Sequence, residues 1–132
     1  MSAIPRQFDL RSSVVVMEPD QSLVPVRITS TLFEDLDEHF QGFHGRWLIS
    51  CLSFDSDWPV HEMHPAGDEI VCLLSGSVRL LLEHDGIEDS VHLSEPGAYA
   101  IVPKGIWHRA MTKVPTVMLF VTPGQGTQHV AA

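Results

Sequence analysis

Positive charge is scarce in this chain. Lysine and arginine together supply 8 of 132 residues against 17 aspartates and glutamates, a formal net charge of −9. Nucleic acids and anionic membrane surfaces are bound through clustered Lys and Arg, so neither is expected as a partner. Cysteine is nearly as rare. Cys51 and Cys72 each sit inside an apolar run, where a free thiol behaves as a small hydrophobe, and no CxxC pair or disulfide framework is present. Long apolar runs are missing too, since none approaches the ~20 residues of a membrane span. The first residues lack the basic and apolar regions of a signal peptide. A soluble protein of the reducing cytoplasm is the resulting expectation. G-x-S-x-G nucleophile motifs and phosphate-binding loops are also absent, which removes the common hydrolase and nucleotide-binding readings.

What is present is short apolar segments punctuated by Gly and Pro. Hydrophobic residues make up 44% of the chain, enough for the core of one domain at this length. Residues 1–11 read as an arm or loose strand. Ser12–Met17 and Leu23–Ile28 read as strands, with Pro25 favouring a sheet edge. Thr31–Phe40 is the one helical candidate: a threonine cap, acids in the first turn, and Leu32, Phe33, Leu36 and Phe40 as its apolar positions. From Arg46 onward strands follow one another: Trp47–Phe54, Glu69–Ser75, Ser77–Glu83, Ser90–Leu93, Ala98–Val102 and Thr116–Val121. Asp85-Gly86 is a two-residue hairpin signal. The segment from Thr122 to His129 reads as a terminal loop. Short strands at regular spacing imply an all-β sandwich or barrel with one short N-terminal helix.

Two stretches carry the chemistry. Trp58 to Gly76 places Glu62, His64, Asp68 and Glu69 within eight residues, ahead of an apolar strand. Gly97 to His108 adds a histidine behind a Pro-x-Gly turn. Two histidines with a carboxylate make a donor set for Fe(II), Mn(II), Ni(II) or Zn(II), and leave open positions for a small molecule. Glu62 is either a further ligand or a general base beside the site. His61-Glu-Met-His64 is one residue short of the zincin HExxH, and Pro65 stands where the second histidine would be. His61 is read as a surface residue and Asp68 as a loop stabiliser. By strand alternation from the ligands, Val71, Leu73, Tyr99, Ile101 and Trp107 are the candidates to line a substrate pocket. Arg46, Arg79 and Arg109 are the available binders of an acidic substrate, and His39, His44, His84, His92 and His129 are given no role.

These stretches resemble the two motifs of the cupin superfamily. The first, G-x5-H-x-H-x3–4-E-x6-G, is met in spacing by Ser56, Glu62, His64, Glu69 and Gly76, with Glu62 in place of the first histidine and Ser56 in place of the leading glycine. The second, G-x5-P-x-G-x2-H-x3-N, is met by Gly97, Pro103, Gly105 and His108, with Thr112 at its last position. The resemblance implies a double-stranded β-helix, a jelly-roll-like barrel, as one domain over residues 1–132: N-terminal strands and helix over 1–45, barrel core over 46–124 and tail over 125–132. It also implies that His64, Glu69 and His108, with Glu62 at the fourth ligand position, hold one divalent metal ion (Fe, Mn, Zn or Ni) for chemistry on a small polar organic molecule. Isomerase, decarboxylase and dioxygenase reactions are the expected classes, and a non-catalytic small-ligand module is the alternative. Single-domain cupins are often homodimers, and residues 10–30 offer strands suited to such an interface.

Overall fold

A computed structural model describes residues 6–132, so the N-terminal end of the expected arm, residues 1–5, lies outside the described residues. The order of elements is β1 (Ser13–Met17), β2 (Leu23–Arg27), α1 (Leu32–His39), a 3₁₀ turn (Gln41–Phe43), β3 (Trp47–Phe54), β4 (Val60–Met63), β5 (Glu69–Ser75), β6 (Val78–His84), β7 (Ile87–Leu93), β8 (Tyr99–Val102), β9 (Trp107–Met111), β10 (Thr116–Thr122) and β11 (Gln128–Ala131). The strands form two antiparallel sheets, one of six strands in the order β2-β1-β3-β10-β5-β8 and one of five in the order β11-β4-β9-β6-β7. Pro25 lies in the edge strand β2, where its missing N–H breaks no ladder on the open side.

Period-two alternation decides what is inside. In β10, Thr116, Met118, Phe120 and Thr122 are buried while the residues between them are half-exposed. In β5, Glu69, Val71 and Leu73 are buried. Together with Val78, Leu80, Leu93, Val102 and Ala110 these apolar residues form the core between the sheets. The six-stranded sheet reaches further than its partner, and there a second cluster forms. Val14, Val16 and Leu48 are covered by Leu32 and Leu36 of α1 and by Phe43. Thr31 occupies the N-cap position without capping the backbone. Its hydroxyl meets the Asp35 carboxylate at 3.0 Å instead, and Phe33 faces solvent.

The hairpin at Asp85-Gly86 has positive φ at both residues, 51° and 77°, as a type I′ turn requires. It joins β6 and β7 in register from Val78↔Leu93 to His84↔Ile87, so β7 is longer than its apolar end suggests. Gly76, at φ +90°, closes the β5–β6 turn, and a Cβ there would overlap the Pro115 carbonyl oxygen. No alternative residue fits without shifting backbone. The segment after Thr122 is corrected here: it is not a loop throughout but ends in β11, paired with β4 from Gln128↔Met63 to Ala131↔Val60. Among the described residues, no helix is long and apolar enough to cross a membrane.

Candidate metal centre

Glu62, His64, Glu69 and His108 come from three places in the fold. Glu62 lies in β4 and His64 just beyond it, so alternation turns both side chains to one face and His61 to the other. His108 in β9 is the direct cross-strand partner of Glu62. Glu69 opens β5 in the opposite sheet. The four therefore meet across the barrel interior, with one donor atom from each lying within 4.8 Å of all the others. The Pro103–Gly105 turn ties the two motifs together, because the Gly105 N–H donates to the His64 carbonyl at 3.0 Å. Asp68 does what its position suggested and accepts the Lys104 N–H at 2.8 Å, which holds the same turn from the other side.

His64, Glu69 and His108 are almost fully buried, at 4%, 1% and 0% exposure, whereas the Glu62 side chain is 22% exposed and faces the mouth. His64 Nε2 stands 2.9 Å from Glu62 Oε1 and 3.2 Å from Glu69 Oε2, and His108 Nε2 stands 3.1 Å from Glu69 Oε1. Despite these ion-pair distances, His64 Nε2, Glu69 Oε1 and His108 Nε2 have no hydrogen-bond partner among the described residues. All three belong to the cluster whose donor atoms lie within 4.8 Å of one another. Buried polar atoms normally find partners, and leaving one without costs about 1–3 kcal/mol. A cation with ligands at about 2.0–2.2 Å satisfies all of them at once, and the donor spread needs little contraction to accept it. The two-histidine, two-carboxylate set suits Fe(II), Mn(II), Zn(II) or Ni(II).

Without an ion the charges must balance among themselves. Burial disfavours the charged form of His64, but the carboxylates of Glu62 and Glu69 outweigh it and raise the imidazole to about 9. Burial likewise opposes ionisation of Glu69, and the two histidines overcome it, lowering the carboxyl to about 2. Glu62 is also lowered, burial being outweighed chiefly by His64. Both carboxylates are thus ionised at neutral pH.

Each of the four has one further partner outside the cluster. His108 Nδ1 lies 3.2 Å from the Ile106 carbonyl, and the Thr122 hydroxyl donates to Glu69 Oε2 at 2.6 Å. Thr127 Oγ1 is 2.8 Å from His64 Nδ1, and His129 Nε2 is 2.8 Å from Glu62 Oε2. Spacing in the chain gave no hint of Thr122, Thr127 or His129, because all three act through contacts made by strands distant in sequence. Trp58 was also missed. Its indole packs 6.4 Å from His108 and 5.8 Å from Phe120, centroid to centroid, with a buried Nε1 that has no acceptor.

The expected pocket lining divides in two. Val71 and Leu73 do face the interior and are fully buried there. Tyr99 and Ile101 do not: they are 62% and 55% exposed on the outer face. The register Cys72↔Tyr99 and Ile70↔Ile101 sets this, because Ile70 and Cys72 alternate outward with Glu69, Val71 and Leu73 inward. Trp107 precedes the inward His108 and takes the opposite face as well. The arginines are mostly committed elsewhere, Arg46 to Glu18 at 2.9 Å and Arg109 to the Trp58 carbonyl at 2.6 Å. A shallow surface concavity of about 640 Å³ beside β1 and β2 contains none of the four cluster residues in its lining.

No family model and no curated protein matches the chain. Solved structures do. An oxalate oxidase superposes with a TM-score of 0.53 at 16% identity, over 61% of this chain and 44% of that one. A mutant of Bacillus subtilis oxalate decarboxylase OxdC superposes at 0.50 with 19% identity, over 65% of this chain and 23% of that one. A cupin-2 domain containing protein from Shewanella frigidimarina is matched at 0.47 with 21% identity, over 58% of this chain and 70% of that one. The chain thus spans less than half the length of the oxalate enzymes it matches. Taken with the sheet order, the likeness to the oxalate oxidase and decarboxylase shows that this chain shares their fold, the double-stranded β-helix that the two spaced motifs imply.

Proposed function

We propose that the chain, as a single barrel domain, binds one divalent metal ion through His64, Glu69, His108 and Glu62 and acts on a small polar organic molecule at that site. The observation that carries this reading is that three buried donor atoms without hydrogen-bond partners among the described residues gather with Glu62 within 4.8 Å of one another. When bound, the ion supplies Lewis-acid or redox chemistry, which suits an isomerase, decarboxylase or dioxygenase. The chain's own contribution is more specific. His64, Glu69 and His108 form a dry floor, and Val71 excludes water beside Glu69. Glu62 is the group placed between the floor and solvent, ionised and able to take a proton from a molecule entering at the mouth. The unpaired Trp58 N–H offers a donor to an anionic or carbonyl oxygen of such a molecule.

The rival reading, a module that holds a small ligand and does no chemistry, is favoured by the double engagement of Glu62 with His64 and His129, which ties down the one candidate base. Metal content by mass spectrometry, followed by a panel of small organic acids and sugars with and without dioxygen, separates the two. Stoichiometric metal with turnover supports the enzyme, stoichiometric metal with binding alone supports the module, and no metal after reloading overturns the metal-dependent enzyme and leaves a plain ligand-binding cavity.

We also propose a homodimer, through the outer face of the six-stranded sheet. One register row places Pro25, Val15, Ile49, Val121, Ile70 and Ile101 side by side, an apolar residue on every strand. At the usual strand and residue spacings the face measures about 24 Å by 20 Å. That is about 480 Å², at the upper end of apolar patches on monomers and over half of the ~800 Å² per partner of a standard interface. A second copy laid face to face supplies a matching surface. Light scattering giving twice 14.7 kDa supports this, and a 14.7 kDa species at micromolar concentration refutes it.

A further inference from the structure

The last residues of the chain touch two of the four candidate ligands. Strand β11 is a four-residue edge strand, exposed along its whole length and, among the described residues, paired only with β4. Such a strand contributes little core, yet its register sets His129 directly opposite Glu62. Just before it, Thr127 reaches His64. The loop between is anchored at its start, where the Gly45 N–H donates to Gln125 Oε1 at 3.2 Å.

The hydrogen-bond directions in this segment follow from what each atom can do. The Thr127 hydroxyl donates to the Gly124 carbonyl at 3.0 Å, which leaves its oxygen to accept from His64 Nδ1–H. When an ion displaces its second proton, His64 is thereby held in the tautomer that presents the Nε2 lone pair to the cluster. His108 is held in the same tautomer by the Ile106 carbonyl, but from within its own strand region. A carboxylate only accepts, so His129 Nε2 donates to Glu62 Oε2 and occupies that oxygen. Oε1 alone is left facing the cluster, 2.9 Å from His64 Nε2.

We propose that residues 124–131 are a strap that completes the metal site, with Thr127 and His129 as positioning residues that present His64 through Nε2 and Glu62 through a single oxygen. The inference rests on the metal reading above and goes further, since it assigns a role to a segment outside both cupin-like motifs. Outer partners of this kind orient ligands and raise affinity, and losing one typically weakens metal binding about 10- to 100-fold.

The test uses the full-length chain loaded with Co(II), reading affinity by chelator competition and coordination by the visible d–d spectrum. Thr127→Val, which keeps the shape and removes the hydroxyl, and His129→Ala are each expected to weaken Co(II) binding about 10- to 100-fold and to change the spectrum. Thr127→Ser and His129→Gln retain the polar atom and are expected to bind within about threefold of the wild type. Thermal midpoints of the metal-stripped proteins are expected to coincide, which separates positioning from general loss of fold. Wild-type affinity in Thr127→Val and His129→Ala overturns the inference and leaves the metal reading standing. Equal losses in the conservative and non-conservative variants also overturn it, because then only packing of the strap matters. A wild-type chain that binds no Co(II) takes down the metal reading and the inference together.

Discussion

Strand β5 serves two environments one residue apart. Its inner face carries Glu69, Val71 and Leu73, all at or below 1% exposure, and its outer face carries Ile70, Cys72 and Leu74, with Ile70 and Leu74 at 40% and 43%. Both faces are largely apolar, so composition alone does not say which one is the core. The difference lies in what each meets. The inner face meets the second sheet and ends in a carboxylate shared by two histidines, while the outer face is a smooth apolar row across six strands. On the proposed reading, the inner face holds something small and the outer face another copy of the chain.

The sharpest way to break that comparison is at its polar end. Glu69→Ala leaves His64 and His108 facing each other, and metal content measured by mass spectrometry is expected to fall to background, as it is for His108→Ala. Ile70→Asp, one residue away, is expected to leave metal content intact and to convert the proposed dimer to a 14.7 kDa monomer in light scattering. Should both substitutions affect metal equally, the two faces are not independent.

A smaller effect tests packing. Leu73→Ala removes a fully buried side chain from the core and is expected to cost about 2–5 kcal/mol in chemical denaturation. Leu74→Ala on the outer face is expected to cost no more than about 0.5 kcal/mol under conditions where the chain is monomeric.

Smaller again is the pH dependence of the metal-stripped protein. His64 is raised to about 9, so the stability it contributes is fully present below the unfolded value of 6.5 and is lost as pH rises through about 9. Glu69 is lowered from 4.5 to about 2, so its contribution is present above 4.5 and is lost as pH falls through about 2. The cluster therefore stabilises most between about pH 4.5 and 6.5, and thermal midpoints across pH are expected to decline on both sides. In His64→Ala the alkaline decline is expected to vanish. The outer face carries no such charge cluster, and Ile70→Asp tested as a monomer is expected to keep the alkaline decline.

Much of this was legible in the chain itself. Glu62, His64, Glu69 and His108 could be picked out because two sit on one strand two residues apart, and the others stand at strand ends behind Gly and Pro turns. Pro25 announced an edge, and Asp85-Gly86 announced a hairpin. Tyr99 and Ile101 could not be assigned to the correct face by counting along the strand, because their faces depend on the register of β8 against β5, and a shift of one residue reverses the answer. Trp107 could have been, since it adjoins His108 and alternation alone turns it outward. Strand β11 escaped because Gln-His-Val-Ala is too short and too exposed to carry a periodic signal.

Local chemistry thus determined which side chains could bind an ion and where the backbone must turn, since donor type, alternation and turn propensity act over a few residues. Tertiary structure alone decided that four donors from two sheets converge, that Thr122, Thr127 and His129 stand behind three of them, and that one of two apolar faces is left outside. Those outcomes depend on pairing between residues far apart in the chain, 67 positions for Glu62 and His129, and no local preference encodes that pairing.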